Sequence, residues 1–256
     1  MSTVKTWEEF YTTRAERARP LVVAHRGVPV LKPENTLDSF ALALDQAADV
    51  LETDLRLTQD GEIVLFHDAT LERMTDGIGE LGALTLDQVK KLRTRTPSGA
   101  LSGQSVPTLV DLLQLTQGQV PLLLELKDAR FAEVTVAQRL IDTLQAHDVL
   151  ARTSIVSFKP ELVSSVNAVE TSLPVGHLSL NELWPRRDMP LLGPYWPLLY
   201  MNPTYVWWAH RQGSIVAPLD PIPEARLGYY LRLGVDALLA DYPARVMRAL
   251  EKRMGI

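Results

Sequence analysis

The chain has 256 residues, a net charge of −5 at pH 7 and a pI near 5.6, an acidic balance that excludes general affinity for nucleic acid, because phosphate backbones need a basic face. It contains no Cys, which removes disulfides, thiolate zinc sites and a cysteine nucleophile. The 46% hydrophobic and 22% charged content are those of a folded soluble chain, not a disordered one.

Thr6 to Arg19 reads as a helix, with Thr6 as N-cap, Glu8 and Glu9 in the first turn and basic residues towards its end, in keeping with the helix dipole. Leu21 to Ala24 is an apolar run of strand length that delivers His25, Arg26 and Gly27, after which Pro29 and Pro33 keep the chain in a loop. Asn35 or Thr36 caps a second helix with apolar positions Leu37, Phe40, Leu44 and Ala47. Leu51 to Leu57 is the second strand. Asp60-Gly61 is a hairpin signal, so Glu62 to Phe66 is expected to fold back on that strand and carry His67 and Asp68 to its far end. The Gly- and Thr-rich stretch up to residue 106, with a short helical pattern near Leu86 to Leu92, reads as a small lobe inserted into the fold.

From Pro107 onward helices and strands alternate. The pattern predicts strands at 121–126, 153–157, 173–178, 198–202, 214–218 and 235–240, and helices at 108–117, 131–146, 160–169, 203–212, 223–233 and 243–253. With the hairpin strand set aside, eight strands each precede a helical segment. Eight βα units in a chain of this length predict a TIM (β/α)8 barrel, one domain over 1–256 with an insertion at about 68–106 after the second strand. No glycine-rich dinucleotide fingerprint or P-loop supports an open sheet. The first twenty residues hold no apolar run of signal-peptide length and no later stretch has eighteen uninterrupted apolar residues, so a cytoplasmic protein without stable membrane insertion is expected.

On such a barrel, functional groups sit where strands end. Strand one ends in His25 and Arg26, strand two carries Glu52 and Asp54, the hairpin strand ends in His67 and Asp68, strand three carries Glu125 and Lys127, and strand eight ends in Asp241. Glu52 and Asp54 are two apart, so both point to one face, and Glu125 and Lys127 repeat that spacing. Each pair alone has a plain structural reading, exposed acids in one case and a salt bridge in the other. Three carboxylates and a lysine at one barrel mouth are costly to bury unless the charges are used or neutralised. Oxygen ligands without Cys favour a hard divalent ion, Mg²⁺, Ca²⁺ or Mn²⁺. The two histidines are either further ligands, which would favour zinc, or an acid/base pair. Arg26 and Lys127 are cationic donors suited to a phosphate, and the whole set describes phosphoryl-ester chemistry.

The sequence resembles the glycerophosphodiester phosphodiesterases, bacterial type. The resemblance rests on His25-Arg26-Gly27, Pro33-Glu34-Asn35-Thr36 with Ser39-Phe40, Glu52 with Asp54, Thr58-Gln59-Asp60-Gly61, His67-Asp68 with Leu71 and Arg73, Pro107-Thr108-Leu109, and Glu125 with Lys127; weaker signatures follow at Ser157-Phe158 and at Gly234-Val235-Asp236 with Asp241 and Pro243. It implies a TIM barrel with a small insertion and hydrolysis of small-molecule glycerophosphodiesters to sn-glycerol 3-phosphate and an alcohol. It further implies Glu52, Asp54 and Glu125 as ligands of one divalent cation, His25 and His67 as the acid/base pair, and Arg26 and Lys127 as phosphate holders. Similarity to phosphoinositide phospholipases C would make His25 the base and His67 the leaving-group acid. Where the family often places an aromatic residue after strand seven, this chain has Pro218. The stretch Trp184 to Tyr205, rich in Pro and aromatics, reads as a loop packed over the barrel or a homodimer contact, and in a sharper reading as an apolar lip for an acyl chain. A glycoside hydrolase would also use paired carboxylates on this fold but leaves both histidines and Lys127 without work; a scaffold that lost its chemistry would lack some of these residues, and none is missing.

Overall fold

The computed structural model describes residues 5–13 and 16–255. Nine strands are present among them: β1 (Leu21–His25), β2 (Val50–Leu57), β3 (Ile63–Leu65), β4 (Leu122–Leu126), β5 (Thr153–Ser157), β6 (Val175–Ser179), β7 (Leu191–Pro194), β8 (Ile215–Val216) and β9 (Ala237–Ala240). Eight run parallel in the order β8-β7-β6-β5-β4-β2-β1-β9, and β3 lies antiparallel on β2. The two ends of that order meet where Asp236 N donates to Val216 O at 3.0 Å, which curls the sheet into a nearly closed barrel. The outcome is the TIM barrel that the βα alternation predicts.

Two apolar layers follow from strand alternation. On β2, Leu51 and Leu55 face the outer shell with Phe40, Leu112 and Leu140. Val50 faces the barrel interior with Val23, Leu123, Val156, Leu178 and Leu239. The helix Trp7–Thr12 closes the N-terminal end of the interior: Trp7 and Phe10 are buried there, and Trp7 Nε1 donates to Leu122 O at 3.0 Å. Thr6 caps it with Glu9 as expected. The helix ends at Thr12 with Thr13 as its C-cap, short of Arg19. Arg14 and Ala15, inside the predicted helix, lie outside the described residues.

The hairpin forms at Asp60-Gly61, with Gly61 N donating to Thr58 O. The segment after β3 builds a lobe with an apolar cluster of its own, Phe66, Leu71, Leu81, Val89 and Val106 against Val64 of β3. One predicted strand is displaced. Residues 198–202 are not a strand: Trp196–Met201 is a helix, and the sixth barrel strand is Leu191–Pro194, where the sequence pattern predicts none. Pro197 at the first turn suits a helix start. Gly193 lies opposite Leu178, whose side chain occupies the space a Cβ would need, so the strand passes where only glycine fits.

Candidate active site

The register of the parallel strands sets the site at the C-terminal mouth. His25 lies opposite Glu52, and Asp54 opposite Glu125, so strands β1, β2 and β4 present their polar residues at adjacent levels. Lys127 N donates to Leu55 O, which continues the β2–β4 pairing one step past β4 and keeps Lys127 on the Glu125 face. Oxygens of Glu52, Asp54 and Glu125 come within 4.8 Å of one another, and all three residues are buried.

The turn after β1 explains the His-Arg-Gly run. Arg26 has φ 54° and Gly27 φ 86°, a left-handed pair that is costly at the arginine. A Cβ at Gly27 would stand 2.4 Å from Ser39 Oγ, so glycine is required there. The turn lets Arg26 N bond both Glu52 O at 3.1 Å and Glu52 Oε2 at 3.0 Å, and it swings the guanidinium over Asp54, with Nε 3.0 Å from Oδ2. Asn35, also left-handed at φ 55°, accepts from Thr53 Oγ1 and donates Nδ2 to Asp54 Oδ2 at 2.8 Å.

Three carboxylates face two cations in this cluster, Arg26 and Lys127, and the electrostatics reflect that imbalance. Burial beside Asp54 pushes Glu52 well above the usual carboxylate range. Burial, again beside Asp54, lifts Glu125 to about 7. Burial also acts to raise Asp54, but Arg26 and Lys127 outweigh it and hold that carboxyl down at about 2. Asp54 Oδ1 is buried without a hydrogen-bond donor, with Lys127 Nζ 3.4 Å away as a charge partner, and Glu125 Oε1 has only Lys127 Nζ, at 2.5 Å. Such hard, excess, under-bonded oxygens fit a divalent cation.

Each histidine is oriented by a carboxylate. His25 Nδ1 lies 2.6 Å from Asp241 Oδ1, and His67 Nδ1 lies 2.6 Å from Asp68 Oδ1. A carboxylate at Nδ1 keeps the proton there and leaves Nε2 for exchange. Burial lowers the His67 pKa, with Asp54 opposing. A second chain of contacts ties His67 to the arginine: Asp68 Oδ2 accepts from Arg73 Nε at 2.5 Å, Arg73 forks onto Glu34 at 2.7 and 2.9 Å, and Glu34 Oε1 accepts from Arg26 Nη1 at 3.0 Å.

The seven residues singled out from the sequence, His25, Arg26, Glu52, Asp54, His67, Glu125 and Lys127, thus come together at one mouth. Sequence reasoning placed Asp68 and Asp241 at the mouth without a role, quoted Glu34 and Arg73 only in the resemblance, and offered Asn35 as a helix cap, a place that Thr36 takes. Adjacency to His67 was a usable signal for Asp68; Asp241 lies 216 residues from His25, and no local pattern links them.

The other side of the same cavity, of about 260 Å³, is lined by Val156, Leu178, Leu191, Ala217, Leu219 and Leu239 of β5 to β9 and their ends. Phe158 stands at the boundary, its ring 5.4 Å from Lys127 Nζ. Pro218 itself does not line this wall; Ala217 and Leu219 do, with Tyr195, paired to Leu219 through the backbone, beside them.

Comparison with known proteins agrees with this geometry. The profile described as the glycerophosphoryl diester phosphodiesterase family matches residues 25–245. A glycerophosphodiester phosphodiesterase of Caldanaerobacter subterraneus subsp. tengcongensis is 29% identical over 244 residues, covering 91% of this chain and 99% of the relative. One from Bacillus subtilis is 30% identical over 250 residues, covering 88% and 84%. Among solved structures, a phosphodiesterase of Oleispira antarctica in complex with the product sn-glycerol-3-phosphate superimposes with a TM-score of 0.80 at 27% identity, covering 91% of this chain and 97% of that one.

Proposed function

The chain belongs to the glycerophosphoryl diester phosphodiesterase family, and from that premise we propose that it hydrolyses glycerophosphodiesters to sn-glycerol 3-phosphate and an alcohol, using one divalent cation and His25 and His67 as proton carriers. The observation that carries this reading is the cluster of Glu52, Asp54 and Glu125 oxygens within 4.8 Å, set between two carboxylate-oriented histidines.

Glu52, Asp54 and Glu125 would hold the ion, Mg²⁺, Ca²⁺ or Mn²⁺ by the hardness of the donors. When bound, such an ion lowers the pKa of a coordinated hydroxyl and polarises phosphoryl oxygen. Arg26 and Lys127 supply N–H donors to the phosphate oxygens and offset its charge. His25, with Asp241 at Nδ1, takes at Nε2 the proton of the attacking oxygen, either of water or of a glycerol hydroxyl whose cyclic phosphate water then opens. His67, with Asp68 at Nδ1, gives a proton to the leaving alcohol from Nε2, and its buried setting makes it a readier donor than a free imidazole.

The test is release of glycerol 3-phosphate from glycerophosphocholine and glycerophosphoethanolamine by purified protein, with EDTA and then with Mg²⁺, Ca²⁺ or Mn²⁺ restored. Turnover lost to EDTA and regained with an ion supports the reading. A folded protein that releases no glycerol 3-phosphate with any of the ions refutes it.

A further inference from the structure

His67 stands just past the hydrogen-bonded edge of the hairpin. The last rung between β2 and the segment after β3 is Phe66 N to Asp54 O at 2.9 Å, and the next tie on that segment is Leu81 N to Ala69 O at 2.9 Å. Among the described residues, neither His67 nor Asp68 makes a backbone–backbone hydrogen bond between these two points. Asp68 orients the imidazole from within the same unpaired stretch, and its own partner Arg73 is half exposed.

The missing tie comes from β2. Arg56 follows Glu52 and Asp54 on the face that strand alternation turns to the mouth, and its Nε donates to His67 O at 2.8 Å. Four carboxylates, Asp128, Asp54, Asp68 and Glu125, act on this guanidinium through space, yet they pair with Arg130, Arg26, Arg73 and Lys127 instead. Among the described residues, the side chain's one hydrogen bond goes to a neutral carbonyl. A guanidinium among acids gains more from a forked carboxylate pair than from a carbonyl, so charge balance does not account for the arrangement. The needs of the hairpin do not account for it either. Leu55, Arg56 and Leu57 already pair in register with Leu65, Val64 and Ile63, and Leu65 N donates to Pro107 O at 2.9 Å. What the bond adds is a fixed place for His67.

Resting on the reading of His67 as proton donor to the leaving alcohol, we propose that Arg56 is a positioning residue for that donor: by holding the His67 carbonyl to β2 it keeps the imidazole aimed at the leaving oxygen. Arg56 does not line the cavity, so it acts on the substrate through His67 alone. A donor displaced by about 1 Å loses up to about a hundredfold in rate.

The experiment uses the full chain with its working ion and two esters of sn-glycerol 3-phosphate. Glycerophosphocholine has an alcohol that needs a proton to leave; the p-nitrophenyl ester releases a phenolate that does not. Arg56→Met removes the donor at nearly constant side-chain length. It should lower kcat for glycerophosphocholine about tenfold or more, with KM within about twofold, and kcat for the p-nitrophenyl ester by less than about twofold. Arg56→Gln drops the charge but keeps an N–H equally far along the side chain, and should bring kcat for glycerophosphocholine back to within about threefold of the parent. In the His67→Ala background, Arg56→Met should cost less than about twofold more. Should Arg56→Met not fold, Arg56→Lys, which keeps the charge but moves the donor outward, takes its place with the same selective loss expected. An equal loss on both esters, a loss as large in Arg56→Gln as in Arg56→Met, or an undiminished loss in the His67→Ala background would make the arginine a general brace or a source of charge, and overturns the inference. If His67→Ala is selective for glycerophosphocholine and Arg56→Met is not, this inference falls and the reading of His67 stands; if His67→Ala itself slows both esters alike, both fall.

Discussion

The two halves of the barrel mouth are made from the same βα repeat, yet they are stabilised in opposite ways. On the half formed by β1, β2 and β4, the strands bury Glu52, Asp54 and Glu125, and two residues, Arg26 and Asn35, adopt left-handed backbone to hold them. That arrangement costs folding energy, since buried like charges repel and lose hydration. Its supports come from outside the strands: Asn35 and Glu34 from the loop after β1, Asp68 and Arg73 from the segment after β3. The half formed by β5 to β9 needs no such props, because Val156, Leu178, Leu191 and Leu239 join the interior apolar cluster and gain by burial. The buried charges are concentrated where the fold is under electrostatic load, and the neighbouring hydrocarbon offsets that load.

Removing a proton carrier should break this contrast most sharply. His67→Ala is expected to lower kcat by about a thousandfold, within the range for loss of a general acid, while calorimetry still detects binding of the activating ion. Intact activity in that variant would take His67 out of the reaction. Glu125→Gln should next weaken the ion by about ten- to a hundredfold, read by titration calorimetry, and the variant should be no less stable than the parent in EDTA, because it removes a charge that is crowded there. Arg73→Gln cuts the link between Asp68 and Glu34. It should reduce kcat about tenfold through a misplaced His67, yet shift thermal stability by under about 1 kcal/mol, since Arg73 is half exposed. A loss of stability without a loss of kcat would make Arg73 a surface brace only.

The smallest effect is a pH dependence. Glu125, lifted to about 7 in the folded state, keeps a proton that the unfolded chain releases near about 4.3. Its contribution to stability is therefore present below the unfolded value and is lost as pH rises through about 7. On the proposed reading a divalent ion would take the place of that proton. The rise in Tm on saturation with Mg²⁺ or Ca²⁺ should grow from about pH 5 to about pH 8, reaching about 5 °C. A rise equal at both pH values would show that the ion does not bind at Glu125.

The charged half was legible in the sequence and the apolar half was not. Two-residue spacings on strands report their shared face directly, so Glu52 with Asp54 and Glu125 with Lys127 could be placed before any fold was known. The hydrocarbon wall is contributed one or two residues at a time by β5 to β9, and its strand β7 was misplaced. Leu198 to Met201 looks more strand-like than Leu191 to Pro194, which contains a glycine and a proline. What decides the matter is the close approach of Gly193 to Leu178, a tertiary fact that local propensity does not carry. The pairing of His25 with Asp241 has no local pattern either; the predicted barrel puts both at the mouth, on strands one and eight, and the contact follows from the closure that makes β1 and β9 neighbours.

That neighbouring places a clasp close to the chemistry. β8 is only Ile215–Val216, and its links to the far edge of the sheet include Asp236, which accepts from Val216 N at 2.7 Å through its carboxylate and donates its own N–H to Val216 O, and Asp241, whose N–H donates to Pro221 O at 3.0 Å. A seam this short is where amide hydrogens should exchange first, ahead of those between β2 and β4. Because β9 leads directly to Asp241, each transient opening of the clasp also loosens the carboxylate that orients His25. This short seam and the alignment of His25 would then share a single fluctuation.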